Sequence, residues 1–377
     1  MTNDAPIRDA PRPVLLAYDY PPNDGGISRL GAGLAEELAR RGQPPLVVTL
    51  RGTEAAGLAR PGGPVIEVSP RRGRREVETL RALRALPVST PVIATVWNPE
   101  ATLALLAGRR RLTILAHGNE VMAYHGKPLK TRLRRAVLGA ATCVVCNSRH
   151  TEALVRAAAP RARTVVIRPA VDAERFRHPG GKAAARRRLG LPEDARVVLS
   201  VSRLAPMKGH DTVLRAIARL PDLARAGLCY AIVGQGRHRA ALERMARDLG
   251  IAANLRFAGF VADAALPAWY AAADLFALCS RADPAARAIE GFGMVFAEAQ
   301  AAGIPVLGTR SGGIPDAVTE GDGGWLVAEG DDAAVARYLQ ALCDDPDAFA
   351  EEGRKGRARV LRELTWRAYV DALLDVL

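Results

Sequence analysis

Short runs of β-branched and aliphatic residues alternate with helical stripes along this chain, and the alternation runs through twice. Residues 14–18, 46–50, 65–68, 92–96, 113–116, 142–146 and 164–167 read as strands. Helical patterns lie between most of them. One such pattern has its stripe at Ile27, Leu30, Leu34 and Leu38 and stops at Gly42. The pattern then restarts, with strands expected at 196–201, 230–233, 255–257, 275–278, 305–308 and 325–327. Helices are expected at 210–220 and 237–250, the second with apolar Ala241, Leu242, Met245 and Leu249. Strand–helix alternation of this kind makes a mostly parallel sheet covered on both faces. The fold class is therefore α/β, with two doubly wound Rossmann-like domains, and 377 residues suit two cores better than one.

Domain one is expected at 1–170 and domain two at 171–361, with 171–194, polar, basic and containing Pro179-Gly-Gly181, as the connection. The last stretch, about 362–377, carries an apolar stripe (Trp366, Tyr369, Val370, Leu373, Leu374, Leu377) and is expected to dock back on domain one. Ligands of open α/β sheets bind outside the carboxyl ends of the strands. Two such domains facing each other would make a central cleft able to close and exclude water.

Hydrophobic residues make up 49% and charged residues 25% of the chain, and no apolar run is long enough to span a bilayer. The polar, Pro-containing N-terminus shows no apolar h-region, so a cytoplasmic protein is expected. Five cysteines point to a reducing compartment, and Cys143-x-x-Cys146 reads as a buried strand, with no second pair to complete a zinc site. The net charge of +13 is lopsided. Residues 1–172 carry 26 Lys and Arg against 14 Asp and Glu; the remainder carries 27 against 26. Arg71-Arg72-Gly-Arg74-Arg75 and the run from Lys127 to Arg135 supply much of the excess. They suit an anionic acceptor or peripheral contact with the inner membrane face, or are simply a solvated Arg-rich surface. No aromatics interleave them, which argues against nucleic acid.

Several strand ends carry chemistry. Glu290 and Glu298 flank a Gly-rich turn that opens an apolar helix, and such a helix end attracts phosphate. An exposed Glu before a turn and a second Glu in a helix is the plain alternative. Arg203 and Lys208 follow the 196–201 strand, where they are either a diphosphate clamp or solvated loop cations. The Walker spacing is absent. Gly234-Gln-Gly236 is half of a dinucleotide fingerprint, or only a tight turn. His117 follows the 113–116 strand as a ligand contact or a core histidine, and Gly25-Gly26 opens the first helix, where a ligand could approach the backbone. Asp345-Pro-Asp347 reads as a helix cap, not as a metal motif.

Taken in order and spacing, these segments resemble the GT-B-fold, retaining glycosyltransferases of family 4. The matching segments include Asp24-Gly-Gly-Ile27, His117-Gly-Asn-Glu120, Ser202-Arg-Leu-Ala-Pro-Met-Lys-Gly209, Val233-Gly-Gln-Gly236, Phe257-Ala-Gly-Phe260, the Glu-x7-Glu element and Ser311-Gly-Gly-Ile-Pro-Asp316. Within the family the chain looks most like the bacterial phosphatidylinositol mannosyltransferase branch. The resemblance implies a hexosyltransferase that uses a nucleotide-diphosphate sugar, GDP- or UDP-linked, with mannose as the first guess. It implies an acceptor-side first domain and a donor-binding second domain, with a lipid-linked, glycan or small-molecule acceptor.

It also implies residue roles. Arg203 and Lys208 would hold the diphosphate, Glu290 would face the sugar, and Glu298 would bind the ribose. Backbone N–H groups of Phe292, Gly293, Met294 and Val295 would meet sugar and phosphate. Val233 to Gly236 with Phe260 and Val261 would frame the base, His117 would touch the sugar, and Gly25-Gly26 would admit the diphosphate. No metal or cofactor is expected. Ala170 departs from the family, where many members carry Gly. A nucleotide-sugar epimerase on the same scaffold and a non-catalytic nucleotide-sugar binder stand as alternatives.

Overall fold

The computed structural model describes residues 12–23, 25–52, 63–124, 126–283 and 285–377. Asp24 of the Asp-Gly-Gly-Ile segment and residues 1–11 of the polar N-terminus lie outside the described residues. The chain forms two compact units, Met1–Ile167 with Trp366–Leu377, and Arg168–Thr365.

The first unit is built on seven strands: β1 (Val14–Leu16), β2 (Leu46–Leu50), β3 (Val65–Val68), β4 (Val92–Ala94), β5 (Leu112–Ala116), β6 (Cys143–Cys146) and β7 (Thr164–Val166). They pair in parallel in the order β3-β2-β1-β4-β5-β6-β7. The second unit holds β8 (Arg196–Val201), β9 (Leu228–Val233), β10 (Leu255–Gly259), β11 (Leu275–Ala277), β12 (Val306–Thr309) and β13 (Gly324–Val327), also parallel, in the order β10-β9-β8-β11-β12-β13. All thirteen expected strands are present. The central ones are buried on both faces: β1, β4, β5, β6, β9, β11 and β12 have every residue buried. That explains why they read as unbroken apolar runs and not as alternations. In each sheet the strand order reverses once, between β1 and β4 and between β8 and β11, which opens a crevice at the carboxyl edge.

The segment 171–194 is not a connection. Val171, Phe176, Ala185 and Leu191 are buried in the core of the second unit, and Gly181–Leu189 is a helix. Arg186 looks like one of a solvated run, yet its side chain is only 5% exposed and bridges Asp274 at 2.5 Å, just ahead of β11. The C-terminal stretch is also divided. One helix ends at Glu363, and a separate one, Trp366–Leu374, belongs to the first unit. There Trp366 packs on the Gly26–Arg40 helix at Gly33, where a Cβ would come within 2.0 Å of the indole. Arg41 ties the two helices by bridging Asp371 at 2.5 Å and donating to the Arg367 carbonyl at 2.8 Å.

Gly33→Val should therefore overpack this contact and destabilise the first unit by about 2 kcal/mol. Urea denaturation should show part of that loss recovered when Trp366→Ala is added. An unaffected midpoint in the single variant would mean the terminal helix does not need this close approach.

Candidate active site

The carboxyl edge of the second sheet gathers most of the expected residues. After β8 the chain passes through Ser202, Arg203 and a short turn at Pro206–Lys208, then enters the His210–Ala218 helix through Gly209. Gly209 has φ +69, and a Cβ there would lie 1.8 Å from the Cys279 carbonyl oxygen. No other residue fits against that strand end. After β9, Gly234 and Gly236 lie against the same loop, their missing Cβ atoms 1.9 Å from the Ser202 carbonyl oxygen and 2.2 Å from that of Leu204. Gly-x-Gly here fits one protein loop to another. Leu204 N–H also donates to the Gln235 carbonyl at 3.0 Å.

These contacts hold Lys208 so that its Nζ bridges Glu290 Oε2 at 2.6 Å, with side chains only 15% and 17% exposed. Glu290 is braced from behind. Gly313 N–H donates to its carbonyl at 2.8 Å, and Gly312, at φ +53, approaches so closely that a Cβ would stand 2.3 Å from that oxygen. The Ser311-Gly-Gly-Ile segment thus supports the backbone of Glu290. Just beyond, Gly293 at φ +90 starts the Met294–Ala301 helix, which has no side-chain cap and no acid in its first turn. Its leading N–H groups and partial positive charge remain available to an anion. Arg203 is exposed, and its guanidinium makes no hydrogen bond to the described residues. Phe260, beyond β10, stands 64% exposed, with Val261 partly buried beside it in sequence. Phe292 is buried in the core, whereas Met294 and Val295 are partly exposed. Glu298 lies deeper at 5% exposure, and the Tyr270 hydroxyl donates to its Oε2 at 2.7 Å.

A polar chain absent from the sequence reading lies under this loop. His210 Nε2 bonds the Ser202 hydroxyl at 2.9 Å and Nδ1 bonds the Tyr230 hydroxyl at 2.9 Å, while Tyr230 meets Ser200 at 2.8 Å. Burial, aided by the Lys208 charge, pushes the His210 pKa down to about 3, so the ring is neutral. The chain pins the start of the Arg203 loop to strands β8 and β9.

The first unit presents its own carboxyl edge. His117 follows β5. Its Nε2 bonds the Thr95 carbonyl at 2.7 Å, which requires a proton on Nε2. Glu120 accepts the His117 backbone N–H at 2.6 Å, and Asn147 donates to the His117 carbonyl at 3.2 Å. These bonds tie Glu120 and Asn147 to the backbone of His117. A Cβ at Gly26 would meet nothing within 4 Å, and the helix it starts has no side-chain cap. Beyond β4 at the same edge, Glu100 is 3% exposed. Its Oε1 accepts the Tyr18 N–H at 3.4 Å and Oε2 has no partner among the described residues. Burial raises its pKa to about 7. Burial likewise pushes the Tyr18 phenol up to about 12, although Thr79 bonds it at 2.6 Å. Nothing in Trp97-Asn-Pro-Glu100 marks that carboxyl from sequence, because its burial comes from long-range packing.

Two other readings can be placed. Cys143 and Cys146 are buried in β6, and Asp345 caps the Pro346–Glu363 helix by accepting the Ala348 N–H at 3.0 Å. No cluster of metal-ligating side chains and no helix long and apolar enough to cross a membrane occur among the described residues.

Known proteins share this architecture. Residues 24–175 match the family described as Glycosyltransferase Family 4, and residues 181–359 match the family described as glycosyl transferases group 1. The chain is 34% identical to the GDP-mannose-dependent alpha-(1-6)-phosphatidylinositol monomannoside mannosyltransferase of Mycolicibacterium smegmatis, over 97% of each chain. It is 39% identical to the D-inositol 3-phosphate glycosyltransferase of Streptomyces avermitilis, over 64% of this chain and 52% of that one. The structure of Anabaena HepE in complex with UDP is similar in fold, with a TM-score of 0.76 at 21% identity, over 97% of this chain and 100% of that one.

Glu100 generates a pH prediction. Its folded pKa of about 7 lies above the ordinary 4.5, so the folded state holds the proton more tightly than the unfolded one. Its contribution to stability is therefore present at low pH and is lost as pH rises from 4.5 to about 7. Glu100→Gln should remove that loss. Its melting temperature should exceed the wild-type value by several degrees at pH 8, on the order of 3 kcal/mol at full effect, and match it near pH 4. A temperature difference that does not vary with pH would contradict the burial argument.

Proposed function

The chain belongs to glycosyltransferase family 4, and we propose that it moves a mannosyl unit from GDP-mannose onto an acceptor bearing an inositol phosphate, first of all a phosphatidylinositol mannoside. It is a hexosyltransferase of GT-B fold. Both named relatives are transferases, which sets the epimerase and the non-catalytic binder behind this reading. The observation that carries the donor side is the partly buried Lys208–Glu290 pair, with Arg203 exposed in the same loop and an uncapped helix end following Glu290. Lys208, Arg203 and that helix end would neutralise the diphosphate and stabilise the charge that develops as it departs. This supply of positive charge supports a metal-independent reaction. Glu290, held by Lys208 and braced by the Gly313 N–H, would orient the sugar hydroxyls. Glu298, fixed by Tyr270, would take the ribose. Retention would follow from front-face attack: the acceptor oxygen bonds to the anomeric carbon on the face the phosphate leaves, and its proton passes to the leaving phosphate.

The acceptor side rests on charge and on one helix, Pro128–Ala140. Of the basic run, Arg134 is 4% exposed and donates to the Val121 carbonyl at 2.7 Å, so it is structural. Arg132 and Arg135 are exposed, with Leu129 at 78% and Leu133 at 42%. Exposed leucines among arginines suit the headgroup boundary of an anionic membrane, where a lipid-linked acceptor would reside on the cytoplasmic face.

Three measurements test this. Lys208→Ala should lower kcat about 10²–10³-fold with the fold intact by circular dichroism, and His117→Ala and Glu290→Gln should each cost at least roughly tenfold. EDTA should leave transfer unchanged, and an EDTA-sensitive rate restored by Mg²⁺ would overturn metal independence. Vesicles containing anionic phospholipid should retain the protein at low salt and release it at high salt, with Leu129→Ser/Leu133→Ser weakening retention. Absence of low-salt binding would favour a soluble inositol phosphate acceptor.

A further inference from the structure

The second unit carries a cavity of about 570 Å³ at the amino edge of its sheet, the opposite edge from Arg203, Lys208 and Glu290. Its apolar lining includes Phe176, Ile304 and Pro305, and its charged lining includes Arg177, Lys182 and Arg357. Two carboxylates face these cations. Asp274, which immediately precedes β11, bonds Lys182 through Oδ1 at 2.6 Å. Its Oδ2 is already held by Arg186 at 2.5 Å and by the Val197 N–H at 2.7 Å. Arg186 is far more buried than Lys182, at 5% against 47% exposure, so it is the permanent counter-charge and Lys182 is in excess. Glu174, 69% exposed, serves both Arg357 at 3.3 Å and Arg177 at 3.8 Å. Four cations therefore share two carboxylates.

A further feature favours an anion. The Gly181–Leu189 helix opens at the cavity with no side-chain cap and no acid in its first turn. The Pro346–Glu363 helix, which also reaches the cavity, is by contrast closed by its own Asp345 cap. An excess of cations, an uncapped helix end and an apolar wall in a space of this size suit a ligand with a phosphate and a compact apolar body. Arg357 also donates to the Ala301 carbonyl at the end of the Met294–Ala301 helix, whose other end follows Glu290. A ligand that draws Arg357 away would loosen that helix.

We propose that this cavity is an effector site for a small organic phosphate ester, distinct from the donor site and coupled to it through the Met294–Ala301 helix. The site stands on its own geometry; only the coupling rests on the proposed function. Phenyl phosphate, titrated by calorimetry into the Lys208→Ala variant to silence the donor site, should still bind. Lys182→Ala and Arg357→Gln, each added to that variant, should weaken binding at least tenfold. No binding, or binding indifferent to Lys182→Ala with the variant folded, would overturn the site. Phenol should not bind, and equal binding of phenol would overturn the phosphate requirement. Dihexanoyl phosphatidic acid below its micellar concentration tests the source: tighter binding than phenyl phosphate assigns the site to a lipid phosphate, and weaker binding to a soluble ester. In the wild-type enzyme phenyl phosphate should change the apparent KM for the donor, and Lys182→Ala should abolish that change. An occupied site with unaltered KM would overturn the coupling.

Discussion

The site of the second unit depends on loops lying backbone against backbone at the carboxyl edge of a parallel sheet. Gly209 meets the carbonyl of Cys279, Gly234 meets that of Ser202, and Gly312 meets that of Glu290. In each case an ordinary side chain would collide with a carbonyl oxygen that cannot move without dragging its strand or loop. The Lys208–Glu290 pair is a product of this stacking, since Lys208 directly precedes Gly209 and Glu290 rests on Gly312. Two charges drawn partly out of water hold a 2.6 Å contact only where their backbones are fixed in advance. On the proposed function, the pair would exchange partners for a diphosphate and a sugar without the loops having to order first.

Polar groups beneath the loops add to this. The Ser202–His210–Tyr230–Ser200 chain satisfies every member in a low-dielectric setting, where an unpaired hydroxyl or ring nitrogen would be costly. Glu100 in the first unit is the opposite case. One of its oxygens has no partner among the described residues, and burial pushes its pKa up to about 7.

Much of this was legible in the residues. The strands could be read because central parallel strands are apolar on both faces, and the motifs at their ends could be read because turns, cations and glycines cluster there. Where the reading failed, the reason lay in a distant partner. Arg186 reads as linker because nothing near it in sequence shows Asp274, 88 residues on. Arg134 passed for surface charge because its carbonyl partners lie a turn and a loop away. Gly234-Gln-Gly236 reads equally as half a fingerprint or a tight turn, and only the Ser202 and Leu204 carbonyls of another loop show why both positions are glycine.

The sequence by itself determined the double α/β repeat, the order of the strands along the chain, and the family to which the chain belongs. These follow from local periodicity and from motifs whose residues are near neighbours. Tertiary structure alone decided which carboxylates are paired, which are buried without a partner, and which basic residues are structural and which exposed. It did so because protonation, ion pairing and burial depend on what crosses from other strands and helices, and residues such as Asp274, Tyr230 and Glu100 reach their surroundings only once the sheets have formed.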